Sequence, residues 1–319
     1  MYQKKYLFLI LFTLFFGFAI SETVQKIKLK IPLVKVNVYV TDKKGNLIKG
    51  LKKENFKIYE DGKLQKITNF YSDKSPINLV FLMENTSVVE DMRTDFIYGV
   101  REILRSLKKD DYCALITFDI KPTIRCDFTR DKSKILQIVD MITFAPTFRS
   151  MALFDSVKFT LDHLKDVKGK KAIVLMATGF DSVSKLTYDK MLKIAASSDT
   201  PIFSISMGQF QRTVNDMYYT PSQRLDFKMA DVRLKYISKY SGGVSFYPMY
   251  GSEFHSIGDK IAKYLENQYT ICYIPKNQNL KKKKRKIKIE CFADVNRDGK
   301  EEKLIVHSKK FYYAGEIEK

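Results

Sequence analysis

The chain has 319 residues, room for about two domains and a sizeable core, and its 45% hydrophobic content is too high for a disordered chain. Fifty-six Lys and Arg against 36 Asp and Glu leave a formal charge of +20, which favours acidic partners without naming one. Four cysteines exclude a disulfide-dense miniprotein, and three well-separated histidines exclude an HExxH metal site.

Lys4 and Lys5 precede an apolar run over 6–20 that ends in Ala19-Ile20-Ser21. A positive start, a short apolar stretch and a small-x-small end read as a secretory signal peptide over 1–21, with an uncleaved N-terminal anchor as the alternative. The rest is then expected to work outside the cytoplasm, in the periplasm, on the cell surface or secreted, where thiols can pair. Residues 31–40 alternate, with Val34, Val36, Val38 and Val40 on one side, the signature of a half-buried strand. Residues 56–59 form a further strand, and Glu60-Asp61-Gly62-Lys63 is a hairpin turn of the Asp-Gly type leading to a return strand over 65–71. A β module over 22–75 is marginal alone and needs a partner layer.

After Pro76 the pattern changes. Residues 78–83 are a continuous apolar run, as in a strand covered on both faces; 113–118 and 172–176 read as further buried strands, and 202–206 as the next strand. Between them, apolar residues recur at helical spacing over 96–107, 135–142, 153–164, 188–197, 225–240 and 254–265, with a hairpin strand at 123–128 and a short strand at 244–247. Strands alternating with helices over 76–266 imply an α/β domain with a mostly parallel sheet wrapped on both faces. Ligands on such sheets bind at the carboxyl ends of the strands. No GxGxxG or GxxxxGK[ST] follows these strands, which disfavours both common nucleotide sites. From 267 to 319 the chain is β again, with strands over 269–274, 286–292 and 303–313, and the two β ends are expected to pack into one small β domain.

Three groups of phrases carry a resemblance. The first is Leu51, then Phe56-Lys57-Ile58-Tyr59-Glu60-Asp61-Gly62-Lys63, Gln65, Ile67 and Phe70; the second is Thr129-Arg130-Asp131 with Phe154-Asp155 at a helix start; the third is Gln268-Tyr269, Tyr273-Ile274-Pro275, Arg285-Lys286-Ile287-Lys288-Ile289 and Tyr312-Tyr313-Ala314. On these, the middle resembles a von Willebrand factor A domain with its Rossmann-like sheet. Nearly all of 31–315 resembles the exported bacterial VWFA-related proteins of the Acidobacteria type. The resemblance implies protein–protein interaction or adhesion, and a metal-ion-dependent adhesion site in which three loops hold Mg²⁺ or Mn²⁺ and the ion meets a partner's carboxylate.

At that site the sequence departs from the family. The D-x-S-x-S loop aligns with Glu84-Asn85-Thr86-Ser87-Val88, Met151 falls where the threonine of the helix start belongs, and Ala177-Thr178-Gly179 replaces T-D-G. Of five implied ligands only Glu84 and Thr86 keep a similar type. Thr178 offers an uncharged hydroxyl, and Val88 and Met151 offer nothing to a hard cation. The expectation is a degenerate site with no tight metal and no cofactor, although Ser87, Ser150 and Asp181 are nearby substitutes and weak Mg²⁺ or Ca²⁺ binding stays open. The binding rim is expected over 84–87, 148–151 and 178–182, with Glu84, Asn85, Thr86, Ser87, Ser150, Thr178 and Asp181 as its polar members.

Other signals have plain alternatives. Asp294-Val295-Asn296-Arg297-Asp298-Gly299 matches the start of a Ca²⁺ loop, but Ile305 stands where an EF-hand needs Glu, and a β-turn is favoured. Lys281, Lys282, Lys283, Lys284, Arg285 and Lys286 form a charge run read as a solvated hairpin loop, or else as a contact for an anionic polymer or lipid surface. Cys272 and Cys291 are expected on adjacent strands, within reach of a disulfide, as are Cys113 and Cys126; the alternative is buried thiols. His163, His255 and His307 have no Ser or Cys partner suggested by spacing, so no enzyme is expected. The reading is an exported, non-enzymatic interaction protein with an unidentified protein partner. The alternative is a binder of anionic envelope polymers or lipids through its basic face, separable by a steep salt dependence. Nucleic acid is not expected, and the sequence does not indicate an oligomeric state.

Overall fold

The computed structural model describes residues 33–72, 75–143, 150–279, 284–296 and 298–314. The chain divides into two compact units, Met1–Ile31 and Pro32–Lys319, and the described residues lie in the second. The segment read as an export signal lies outside them.

The strands are β1 (Val34–Thr41), β2 (Phe56–Glu60), β3 (Lys63–Gln65), β4 (Ile67–Tyr71), β5 (Ile77–Glu84), β6 (Tyr112–Phe118), β7 (Pro122–Thr129), β8 (Lys170–Ala177), β9 (Ile202–Ser206), β10 (Ser245–Phe246), β11 (Tyr269–Tyr273), β12 (Lys284–Ala293), β13 (Glu302–His307) and β14 (Phe311–Tyr313). The helices are α1 (Arg93–Ser106), α2 (Lys132–Met141), α3 (Leu153–His163), α4 (Tyr188–Ser197), α5 (Gln209–Val214), α6 (Pro221–Ser241) and α7 (Glu253–Glu266).

One sheet has the order β10-β9-β8-β5-β6-β7, parallel throughout except for β7 at its edge. Its central strands are continuously apolar because each face has its own core. Leu79, Phe81 and Met83 of β5 pack with Phe96 and Val100 of α1 and Phe254 and Ile261 of α7. Val80 and Leu82 pack on the other side with Val157 of α3, Met191 of α4 and Leu234 of α6. Strand order reverses at β5, with β6 on one side and β8 on the other, and the loops leaving β5 and β8 part there to open a crevice at the strands' carboxyl ends. Helix α6 starts earlier than the apolar spacing implies, because Thr220 and Gln223 make a capping box around Pro221.

The second sheet joins both chain ends in the order β3-β2-β12-β13-β1-β11-β4, with β14 also pairing with β12. The alternating valines of β1 face its core beside Ile58, Tyr269, Ile271, Tyr273, Ile287 and Cys291. At the hairpin after β2, Asp61 and Gly62 both have positive φ (48° and 81°), the conformation an Asp-Gly turn supplies cheaply. The last β stretch is two strands rather than one. Between them Lys309 leaves the sheet, and its Nζ donates to Ala196 O (3.1 Å) and Ser198 O (2.8 Å) at the carboxyl end of α4.

Two expectations are corrected by this sheet. Lys284, Arg285 and Lys286 are not in a solvated loop but open β12, while 281–283 lie outside the described residues. Alternation turns Arg285 inward, where it is 1% exposed, pairs with Glu60 at 2.9 Å and donates to Asn277 O and Asn279 O. Tyr273 and Tyr312 donate to the other Glu60 oxygen, each at 2.8 Å, so the buried carboxylate is met by three donors. Cys272 and Cys291 are not on adjacent strands, since β1 and β13 stand between β11 and β12. Both are free buried thiols, as are Cys113 and Cys126, and burial pushes Cys113 and Cys291 up to about 12.

Candidate functional site

At the crevice, β5 ends in Glu84 and β8 is followed by Thr178. The loop after Glu84 is tied across the sheet by Asn85 N donating to Phe118 O (2.7 Å), and continues into a 3-10 turn, Ser87–Met92. Gly179 turns the loop after β8 with φ +87°, and a Cβ there would lie 2.4 Å from Ala230 O. Only glycine combines that backbone with so close an approach to α6.

Glu84 is wholly buried. Its Oε1 accepts from Thr86 Oγ1 (2.9 Å), and its Oε2 accepts from Thr178 N (2.8 Å) and Thr178 Oγ1 (2.7 Å). Burial raises its pKa above the ordinary value, while those three donors and the nearby Arg212 pull the other way. Asn85 is also buried, and its Oδ1 has no hydrogen-bond partner.

The remaining rim residues serve the loops. Met151 has its side chain in the core; its N–H meets Ser182 Oγ (3.0 Å) and its carbonyl accepts from Ser182 N (2.9 Å). Asp181 and Ser184 take the free N–H groups that open α3. Asp181 Oδ1 accepts from Phe154 N (3.2 Å) and from Ser184 Oγ (2.5 Å). Ser184 Oγ accepts from Phe154 N and Asp155 N. Ser87 and Ser150 are part-buried, Val88 is exposed, and 148–149 lie outside the described residues. The structure therefore brings Glu84, Thr86 and Thr178 into one bonded cluster and places Asp181, Val88 and Met151 outside it.

Sequence reasoning missed the arginine beside this cluster. Arg212, on the short helix α5, donates to Thr178 O (2.9 Å), pairs with Asp231 Oδ1 of α6 (3.0 Å) and lies 5.0 Å over the Phe227 ring. Ser206 and Gln209 donate to the same Asp231 oxygen. The only local signal was an arginine between the strand read at 202–206 and the helix read at 225–240. Around Arg212, the segment 210–225 exposes Phe210, Val214, Met217, Tyr218 and Leu225, with Met217 and Tyr218 more than three-quarters exposed.

Elsewhere, Asp294 closes a turn by accepting from Asp298 N (3.2 Å) and Gly299 N (2.9 Å). His163 meets Asp127, His255 meets Glu102, and His307 Nε2 lies 3.0 Å from the buried Thr41 hydroxyl. Among the described residues no helix is long and apolar enough to cross a membrane.

No protein-family model and no curated protein matches the chain. Solved structures do. An aerotolerance-related membrane protein from Bacteroides fragilis is 14% identical, with 60% of this chain and 99% of that one covered and a TM-score of 0.47. A von Willebrand factor type A protein from Catenulispora acidiphila is 8% identical, with 74% and 66% covered and a TM-score of 0.46. The von Willebrand factor domain of the pilus tip protein Mfa5 from Porphyromonas gingivalis is 11% identical, with 60% and 95% covered and a TM-score of 0.43. At such identities and TM-scores the likeness carries nothing about ligand or partner, and the reading of the site rests on this chain's own geometry.

Proposed function

We propose that this chain is an exported, non-enzymatic interaction protein that engages a protein partner at the strand carboxyl ends without a bridging metal. The observation that carries this reading is the exposed apolar segment 210–225, which Arg212 ties to the Thr178 carbonyl beside a closed acid cluster. Exposed Phe, Tyr and Met side chains grouped on one segment mark interaction surfaces, because water leaves them at a gain when a partner covers them. Beside them the Glu84 oxygens already accept three internal hydrogen bonds and face the field of Arg212. A hard dication at Oε2 would compete with both Thr178 contacts, and at Oε1 with Thr86. Val88 and Met151 would add no oxygen ligand from their side chains, so the donor set does not fit Mg²⁺ or Mn²⁺. Arg212 holds α5 against Thr178 O and Asp231, which keeps the apolar segment in place beside the site.

The test pairs cross-linking to extracts of the source cell with titration of Mg²⁺ and Mn²⁺. One cross-linked species that persists in chelator and disappears in Met217→Glu/Tyr218→Glu is the expected result. A product that needs Mg²⁺, or micromolar metal binding lost in Glu84→Ala, overturns it.

A further inference from the structure

A second surface meets this rim at Asp231 and extends to where the carboxyl half of α6 faces the antiparallel sheet. A cleft of about 590 Å³ there is lined by Lys235, Lys239, Tyr247, His307 and Lys310. A second cleft of about 670 Å³ is lined by Tyr59, Lys284, Lys286, Lys288, Lys310 and Phe311. Lys310 lines both, so the two form one groove running from α6 onto the outer face of β12. Its floor is fixed: Phe311 packs edge-on to Tyr240 of α6, with ring centroids 4.4 Å apart, and Ile287 N donates to Lys310 O (2.8 Å).

The charges in this groove are unbalanced. Asp231 is engaged by Arg212, Glu290 by Lys288 and Lys303, and Asp61 accepts from Lys286 N. Lys235, Lys239, Lys284, Lys286 and Lys310 make no ion pair among the described residues. Burial, and after it the neighbouring Lys239, holds Lys310 below the usual lysine range. Alternation puts Lys284, Lys286 and Lys288 on one face at steps of about 6.7 Å. Two of the cations lie over aromatic rings: Lys284 Nζ is 4.5 Å over Phe311 and Lys288 Nζ 5.8 Å over Tyr59.

We infer that this groove binds a linear anionic polysaccharide, with the lysines meeting its acid groups and the exposed Tyr247 ring meeting a sugar face. The shape argues for this occupant over others. An extended peptide would need a free strand edge for its main chain, and β12 is interior, between β2 on one side and β13 and β14 on the other. A membrane surface would favour cations on a convex or flat face with apolar side chains reaching outward, whereas these line a concavity. A concavity lined by unpaired lysines suits a chain that carries acid groups at repeated spacing.

The test titrates the full chain with polygalacturonate and dextran sulfate, with neutral dextran, a single-stranded oligonucleotide and phosphatidylglycerol vesicles as comparisons. Either acidic polysaccharide is expected to bind at low salt and weaken steeply as salt rises. Lys239→Ser/Lys310→Ser and Lys284→Ser/Lys286→Ser should each weaken binding by about tenfold, since two near-surface charge contacts are lost. Lys109→Ser/Lys134→Ser, away from the groove, should leave it unchanged. Absence of binding, equal weakening in the Lys109/Lys134 pair, or tighter binding of the oligonucleotide or vesicles overturns the inference. None of these outcomes bears on the apolar rim at 210–225.

Discussion

Replacing Glu84 with glutamine removes one buried charge and leaves the rest of the cluster nearly intact. The carboxamide oxygen can keep both Thr178 contacts at the Oε2 position, and the amide can donate to the Thr86 hydroxyl at the Oε1 position. Glu84→Ala strands the Thr178 N–H and two threonine hydroxyls in a dry site. With each orphaned group costing about 1–3 kcal/mol and some relief from hydroxyl rotation, alanine should cost about 3–5 kcal/mol, and glutamine about 1 kcal/mol or less at neutral pH. The pH dependence separates charge from packing. Burial holds the folded pKa of Glu84 above its ordinary value of 4.5. A raised folded pKa means the folded state binds the proton more tightly, so the contribution is complete below 4.5 and is lost as pH rises through the folded value. Urea denaturation of wild type and Glu84→Gln, subtracted at each pH, isolates this group. Wild type should gain on the variant as pH falls from neutrality towards 4.5. A flat difference, or one of opposite slope, would refute a carboxyl whose burial outweighs its hydrogen bonds.

Other outcomes follow from the sheet at the chain ends. Arg285→Met leaves the Glu60 carboxylate buried with only its two tyrosine donors, and should cost about 3–5 kcal/mol in chemical denaturation, with Glu60→Gln/Arg285→Met recovering most of the loss. Lys309 is held down to about 8 by burial, against 10.5 when unfolded. A depressed folded pKa means the stability is gained as pH rises from about 8 to 10.5 and is absent below. Wild type should therefore gain up to about 3 kcal/mol relative to Lys309→Met across that window, less whatever its two carbonyl acceptors return to the charged form. Melting curves of both proteins at the two ends of the window measure it.

Much of this architecture is written locally. The alternating valines of β1, the Asp-Gly turn at Asp61-Gly62, and the continuous apolar runs of β5 and β8 each follow from a period or a turn residue that a few neighbouring side chains define. The loops of the site are different: Glu84, Thr86 and Thr178 were grouped because the resemblance to A domains implies three converging loops there, and the structure bonds the three together. What neighbours could not reveal was which group satisfies which. Thr178 reaches Glu84 across 94 residues, and Arg285 reaches Glu60 across 225. A run of six basic residues looks solvated when read along the chain, yet strand alternation turns Arg285 inward because an acid from a distant strand waits there. The cysteines illustrate the same limit, since strand order, not sequence spacing, put β1 and β13 between Cys272 and Cys291. Arg212 beside the acid cluster and the lysine groove beside α6 are likewise products of packing. Local periodicity decides which side of an element is apolar; only the folded arrangement decides which charges meet a counter-charge and which are left facing solvent.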